Sequence, residues 1–226
     1  VYLPPDGVEY LFNAMKQYDG DVISPDVFNN AGRSTKQEIP LILSGRISVR
    51  YKDNTWGYKV MRNGGYSYNK HPHPIMKSQT NAGPCFLCKK NDFEKIRFQE
   101  ELWLDDMPYA LGEDQTMFYK MFLSGLNVLT SYDSGIKHLD AGTTIKNAEK
   151  EKVLAFCDCR FKLIFWKRFL FDNVTRANKV VNLICFVYTM IINLLISLIK
   201  GNTTIFKQKY YGYKSGFHFL TTNSSK

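Results

Sequence analysis

Residues 112–129 read GEDQTMFYKMFLSGLNVL, and this stretch indicates most about the architecture of the chain. Its two carboxylates follow a glycine, which suits the first turn of a helix, where free N–H groups and the positive end of the helix dipole favour acidic side chains. Met117, Met121 and Phe122 recur at helical spacing and predict a buried face. Gly125 is the residue type that ends helices. We therefore predict a helix to about residue 124, followed by a buried strand over residues 126–129.

Shorter elements precede this stretch. Pro4 and Pro5 stand before an apolar pattern and predict the start of a helix. Val22-Ile23-Ser24 predicts a short strand, and residues 85–88 predict another, followed by a short helix over residues 92–96. This part of the chain therefore contains both helices and strands, and the expected class is α/β.

Residues 51–80 are polar and rich in Tyr, Lys, Asn and Gly. The prolines of His71-Pro72-His73-Pro74 are incompatible with a helix. We interpret the segment as a mobile binding loop whose two histidines are incidental.

The C-terminal part contains a run of twenty residues without a charge, Val180 to Ile199. As a helix this run is about 30 Å long, enough to cross the hydrocarbon core of a bilayer. Its polar residues lie seven, four and four positions apart and share one narrow face, which predicts contact with protein while the other faces meet lipid. These residues are Asn182, Thr189, Asn193 and Ser197. Upstream, residues 161–179 mix aromatic and basic side chains, as membrane–water interfaces do.

Composition limits the class of protein. Of 226 residues, 44% are hydrophobic and 15% aromatic, which excludes a disordered tail and a collagen-like repeat. The net charge is +9, but the chain has no run of five basic residues, so we expect an anionic membrane surface as its partner and no nucleic acid.

The five cysteines allow two interpretations. Cys85 and Cys88 form a C-x-x-C pair, and Cys157 and Cys159 form a C-x-C pair, so a zinc module is one alternative. We favour reduced, small apolar side chains, because a strand would send residues 85 and 88 to opposite faces.

The adjacent carboxylates Glu113 and Asp114 carry the chemistry that we expect. Carboxylates at a helix N-terminus stay ionised, and an ionised carboxylate at the edge of a cleft can accept a proton from an alcohol. The same pair can also be an ordinary helix cap, and the local sequence does not distinguish the two roles.

The run from Gly83 to Gly125 resembles the acceptor-side half of family 2 glycosyltransferases of the GT-A fold. In that family a small-residue turn and a strand lead, through a short helix and a variable loop, to an acidic pair that opens a helix ending in Gly. The opening residues 1–5 are similar to the segment after the family's Asp-x-Asp motif. Ile136-Lys137-His138 is similar to its late histidine, and residues 210–216 to its Lys/Gly-rich end.

The resemblance implies a role for each matching residue. Asp114 would be the catalytic base and Glu113 would orient the base or the acceptor in an inverting transfer from a nucleotide-sugar donor to a glycan or lipid-linked acceptor, as in surface polysaccharide biosynthesis. Gly83 would approach the donor, and His138 a divalent cation, Mg²⁺ or Mn²⁺. The substrate-binding loop before the acidic pair would contribute Trp103, Asp105 and Asp106.

The same resemblance implies that the nucleotide-binding half and the main cation ligands lie upstream of residue 1, in about 90–100 further residues. We therefore expect an N-terminally truncated enzyme that is inactive alone. The expected organisation is a partial GT-A fold, an incomplete mixed sheet with flanking helices, over residues 1–148. A helical, membrane-associating region follows over residues 149–226, on the cytoplasmic face of the cell membrane, either peripheral or spanning it once. The alternative is a non-enzymatic membrane-associated scaffold or binding protein.

Overall fold

A computed structural model describes residues 1–27, 56–69, 72–81, 85–109, 111–139 and 147–222. The strands are β1 (Val22–Pro25), β2 (Tyr58–Val60), β3 (Tyr66–Tyr68), β4 (Ile75–Lys77), β5 (Leu87–Cys88) and β6 (Val128–Ser131). The helices are α1 (Gly7–Gln17), α2 (Lys90–Lys95), α3 (Glu113–Leu123), α4 (Ala148–Phe165), α5 (Arg176–Ile199) and α6 (Thr203–Thr222). Single 3₁₀ turns cover Phe98–Glu100 and Leu102–Leu104, and a π-helical segment, Trp166–Phe171, continues α4. The α/β class is confirmed.

A four-stranded mixed sheet in the order β4-β6-β1-β5 forms the centre of the N-terminal part. Its two middle strands are parallel, with Val22 opposite Val128 and Pro25 opposite Ser131. The outer strands β4 and β5 run antiparallel to their neighbours. All four residues of β1 and of β6 are buried, as expected for strands covered on both faces.

The stretch over residues 112–129 folds as its sequence predicts. Helix α3 begins directly after Gly112, which has φ +84°, and Gly125 at φ +85° follows its last turn. The predicted buried face is confirmed for Met117 and Met121, but Phe118 lies deeper than a flanking position implies, with no exposed surface. Phe118 packs between the sheet and Phe86.

The prediction of a mobile loop over residues 51–80 is wrong for the residues that the structure describes. Strands β2 and β3 form an antiparallel hairpin, and β4 joins the main sheet. The hairpin closes through Asn63-Gly64, with Gly64 at φ +85°, a dipeptide that favours tight hairpin turns. Tyr58 is fully buried, because alternate residues of β2 face the interior. The histidine at position 71 lies outside the described residues, and His73 is exposed.

The predicted strand over residues 85–88 is shorter than expected, since only Leu87 and Cys88 pair with β1. The other two elements of the N-terminal part lie close to their predicted places. Helix α1 ends two residues before Asp19, and α2 covers residues 90–95.

Helices α4 and α6 pack against each other along their lengths. Gly212 makes this possible, because a Cβ atom there would lie 2.3 Å from the carbonyl oxygen of Phe156. Helix α4 also faces the N-terminal part, and side chains from both sides of position 148 share one apolar cluster. Its buried members include Trp103, Leu104, Tyr119, Phe161, Leu163 and Phe165.

The aromatic residues of the segment over 161–171 are mostly core residues. Phe161, Phe165 and Trp166 are at most 4% exposed, and their rings contact one another or neighbouring rings. The interpretation of this segment as an interfacial aromatic belt is therefore wrong for these three side chains. They are buried because α4 is covered by both α6 and the N-terminal part.

Helix α5 is long and apolar enough to cross a membrane by length and composition, and 22% of its most apolar window is buried. The predicted contact of its polar stripe with protein is confirmed. Asn182 and Ser197 are 5% and 3% exposed, and Thr189 accepts a hydrogen bond from Asn63 at 3.2 Å. Asn193 donates to the hydroxyl of Tyr213 at 3.2 Å.

Candidate active site

Asp114 lies in the first turn of α3 and lines a cavity of about 380 Å³. Its neighbour Glu113 is exposed and does not line the cavity. The cavity is large enough for a small polar ligand. Its lining combines polar and aromatic side chains: Tyr66, Asn81, Asp114, Gln115, Asp158, Phe161 and Lys162.

The cavity lies at the carboxyl edge of the parallel strands. Asn81, which lines it, donates to Oγ1 of Thr130 near the end of β6 at 3.1 Å and to the carbonyl of Ser24 near the end of β1 at 3.5 Å. In open α/β sheets this edge is where ligands bind. A short turn joins α3 to β6, so the two elements run in opposite directions, and the N-terminus of α3 with Asp114 comes to the same edge.

Burial, and secondarily the negative charge of Glu113, raises the pKa of Asp114 to about 7. The helix N-terminus therefore does not keep this carboxyl strongly acidic, as the sequence alone suggests. The loss of hydration in the cavity outweighs the favourable end of the helix dipole. A carboxylate with a pKa near neutrality binds protons far more strongly than an exposed aspartate does, which suits it to proton transfer at neutral pH.

The opposite wall of the cavity comes from α4. Lys162 donates to Oδ2 of Asp158 at 2.6 Å, and both side chains are about one-third exposed. One helical turn separates them, so the pair presents a cation and an anion side by side. Neither residue is a candidate from the sequence, although a charged pair within the largely apolar run of residues 156–165 is an available signal.

Two close contacts fix the hairpin turn and Phe161 relative to the first turn of α3. Gln115 donates from Nε2 to the carbonyl of Gly64 at 2.9 Å, which ties α3 to the hairpin turn. A Cβ atom on Gly112 would lie 2.2 Å from the ring of Phe161. The absence of a side chain at position 112 therefore lets Phe161 form the wall beside Asp114.

Trp103 lies behind this wall and not in the cavity. It is 3% exposed, and its ring stacks on Phe161 with centroids 5.9 Å apart and planes 14° apart. Its Nε1 donates to Glu101 at 2.6 Å. The expected part of Trp103 in substrate binding conflicts with its burial, because Phe161 already covers one face of its ring. Trp103 instead supports Phe161.

The structure does not bring the remaining predicted residues to the cavity lining. Asp105 and Asp106 are exposed, and Asp106 lies 3.7 Å from Arg160. His138 is half-buried next to the end of β1, where its backbone N–H donates to the carbonyl of Val27 at 3.2 Å. Gly83 lies outside the described residues.

The described residues do not make a metal site. Among them no three His, Cys, Asp or Glu side chains come together in a group that could hold a metal ion. His138 by itself does not provide the oxygen ligands that Mg²⁺ prefers. Cys157, Cys159 and Cys185 are buried and Cys85 and Cys88 half-buried, and all five are free thiols.

Comparison of the chain with protein-family models, with curated proteins and with solved structures finds no match.

Proposed function

We propose that this chain forms the acceptor-binding side of an inverting, family 2-like glycosyltransferase of the GT-A class and that Asp114 is its catalytic base. The observation that carries the proposal is the position of Asp114. It is a half-buried carboxylate with a raised pKa, in a polar cavity at the carboxyl edge of two parallel strands. The order of elements in the sequence supports the same assignment.

In the proposed reaction the carboxylate of Asp114 takes the proton of an acceptor hydroxyl. The hydroxyl oxygen forms a bond to the anomeric carbon of the donor sugar as the bond from that carbon to the nucleoside diphosphate breaks. The electron pair of the broken bond leaves with the diphosphate, and attack from the opposite side inverts the anomeric centre. Glu113 assists by its charge, which raises the proton affinity of the base.

The lining of the cavity suits a sugar as the acceptor. Asp158 can accept hydrogen bonds from hydroxyl groups and Lys162 can donate to them. Phe161 and Tyr66 supply the aromatic rings against which the C–H faces of a sugar pack. We assign Asp158 and Lys162 to acceptor binding, in place of the exposed Asp105 and Asp106.

The family's reaction uses Mg²⁺ or Mn²⁺, which neutralises charge on the departing diphosphate. The described residues do not complete such a site among themselves, so the ligands other than His138 would come from outside them.

The apolar helix α5 is compatible with an enzyme that acts at a membrane. We propose the cytoplasmic face as its location, where nucleotide sugars and lipid-linked acceptors for surface polysaccharides meet. The exposed apolar residues of α5 also favour a second candidate function, a membrane-associated scaffold without catalysis, since such a surface needs no chemistry. Only the enzyme requires a base at position 114.

The test is nucleotide release from a panel of uridine, guanosine and thymidine diphosphate sugars by the full-length gene product in washed membranes. We expect release that depends on added membrane glycolipid, and a loss of about 10²–10⁴-fold in Asp114→Asn, because an amide cannot take the proton. The matched control is Asp19→Asn. Asp19 has φ +51°, a conformation that Asn adopts readily, and it lies at the other edge of the sheet.

Normal turnover in Asp114→Asn would overturn the assignment of the base. Absence of release with every donor would favour the scaffold.

A further inference from the structure

On the surface of a water-soluble protein a helix turns its apolar face to the core and its polar face to solvent. Helix α5 does the reverse. The polar stripe faces the protein, whereas an apolar stripe on the other side is exposed. At 100° per residue the centres of the two stripes are about 180° apart. The exposed stripe runs the whole length of the helix and includes Val180, Ile184, Ile191, Leu195 and Leu198, each between 43% and 63% exposed.

The buried stripe is held by side chains from two different elements. At its N-terminal end Arg62, in the hairpin turn, donates to Asn182 at 2.9 Å and to Asn178 at 3.3 Å. Further along, Lys209 of α6 donates to Oδ1 of Asn193 at 2.7 Å. The folded body therefore flanks α5 from its first turns to its last ones.

The segments on either side of α5 also lie together. Helix α4 precedes it and α6 follows it, and these two helices pack so closely that Gly212 has no space for a Cβ atom against Phe156. A helix that crosses a bilayer once leaves its flanking segments on opposite sides. A crossing would also place the guanidinium of Arg62 and the ammonium of Lys209 at membrane depth.

We propose that α5 does not cross the membrane but lies in the plane of an anionic bilayer surface, with its exposed apolar stripe among the lipid head groups and upper acyl chains. Its length meets the requirement for a span, but its contacts are those of an interfacial helix.

The charge of the sequence on either side of the helix points to an anionic lipid surface as the occupant. Residues 173–226 contain seven basic residues and no Asp or Glu. The basic residues are Arg176, Lys179, Lys200, Lys207, Lys209, Lys214 and Lys226. Lys179 and Lys200 bracket the apolar stripe, where they can reach lipid phosphates. A second copy of the chain would bring two such basic surfaces together, so repulsion opposes a dimer on this face.

The first measurement is co-flotation of the purified chain with vesicles. One set is phosphatidylcholine alone, and the other contains about 30% phosphatidylglycerol to represent an anionic leaflet. We expect binding to the anionic vesicles that weakens but persists at high salt. Ile184→Lys together with Ile191→Lys should weaken it about tenfold or more, because both charges enter the apolar stripe. The matched control is Val8→Lys with Phe12→Lys, two exposed apolar residues of α1 that are 51% and 43% exposed.

The second measurement determines the depth of α5 in the bilayer and so distinguishes an in-plane helix from one that crosses. Single cysteines at Val180, Ile191 and Leu198, in a background with Cys85 and Cys88 replaced by serine, carry a fluorophore that lipids with shallow or deep spin labels quench. An in-plane helix gives similar, shallow depths at all three positions. A deep position 191 between two shallow ends would show that α5 spans the bilayer and would overturn the proposal.

Absence of vesicle binding by the unaltered chain would also overturn it. Sedimentation of the same preparation would then show whether a second copy covers the stripe.

Discussion

Glu113 and Asp114 are neighbours in the sequence, yet the first carboxylate is exposed and the second is half-buried in the cavity. Burial raises the pKa of Asp114 to about 7, and the charge of Glu113 adds to the shift. The two residues of the acidic pair therefore have different physical roles, which a sequence motif does not reveal.

The raised pKa of Asp114 and its dependence on Glu113 predict the pH profile of the proposed glycosyl transfer. In the proposed reaction the base must be ionised, so activity should fall as the pH drops below about 7, the pKa of Asp114. Glu113→Gln removes a negative charge and lowers that pKa, so the acid limb should move to lower pH. The measurement is the rate at limiting substrate between pH 5 and 9. Glu149→Gln, at an exposed position in the first turn of α4, should leave the midpoint in place. An unchanged midpoint in Glu113→Gln would exclude the coupling.

The raised pKa of Asp114 also predicts an effect on stability. The native state holds its proton up to about pH 7, whereas an unfolded aspartate loses it near pH 3.8. The free energy of unfolding therefore falls as the pH rises between these values. At pH 8 Asp114→Asn should be more stable than the unaltered chain by about 2 kcal/mol or more, and the difference should vanish near pH 4.

Urea unfolding at several pH values measures this difference. A carboxylate that only caps the helix would give the opposite sign, a loss of about 1 kcal/mol. Asp19→Asn again serves as the control.

The pair in α4 predicts a defect in acceptor binding. Lys162→Met removes the ammonium from the cavity wall. In its proposed role this residue binds the acceptor and takes no proton, so the substitution should raise the KM for the acceptor about tenfold, with a smaller effect on kcat. Lys152→Met is the matched control. Lys152 lies in the same helix and also donates to a carboxylate, that of Glu149 at 2.6 Å, but it does not line the cavity. An equal effect of the two substitutions would contradict the role of Lys162.

The buried carboxylate of Glu101 predicts a large loss of stability on neutralisation. Glu101 is 5% exposed and accepts from Lys120 at 2.7 Å and from Trp103 at 2.6 Å, with Arg168 at 3.1 Å. Burial opposes its ionisation, but these partners outweigh burial and hold the pKa of Glu101 below its ordinary value. Its contribution should be present at neutral pH and lost as the pH falls through that lowered pKa.

Glu101→Gln leaves Lys120 with an unpaired charge and should cost about 3–5 kcal/mol at pH 7. The control is Glu94→Gln, whose pair with Lys90 at 3.8 Å is exposed and contributes little. Thermal unfolding of both variants would test the difference, and comparable losses would contradict it.

Local patterns predict the elements whose partners are near in the sequence. Helix α3, its terminal glycine and the buried strand β6 follow from spacing and turn chemistry alone. The inward polar stripe of α5 also follows, because four polar residues on one helical face of an apolar run need partners. The identity of those partners, Arg62 and Asn63, does not follow, since they lie more than a hundred residues away.

Tertiary contacts decide the rest. The hairpin over residues 58–68 is missed despite its Asn63-Gly64 signal, because its polar composition resembles that of a loop. Asp158 and Lys162 are missed because only the packing of α4 against the N-terminal part brings them opposite Asp114. The same packing buries Trp103, for which the family resemblance implies a place in the substrate-binding loop.

One turn of chain, residues 62–65, contacts both α5 and the cavity. Asn63 bonds to Thr189 of the apolar helix, while Gly64 accepts from Gln115, the residue after Asp114, and Gly65 lines the cavity. Four residues reach at most about 14 Å. If α5 lies on the bilayer, this turn fixes the distance between the carboxylate of Asp114 and the lipid surface. Such an enzyme would act on the first sugars next to an anchor and pass over longer chains, so that product length is limited by geometry.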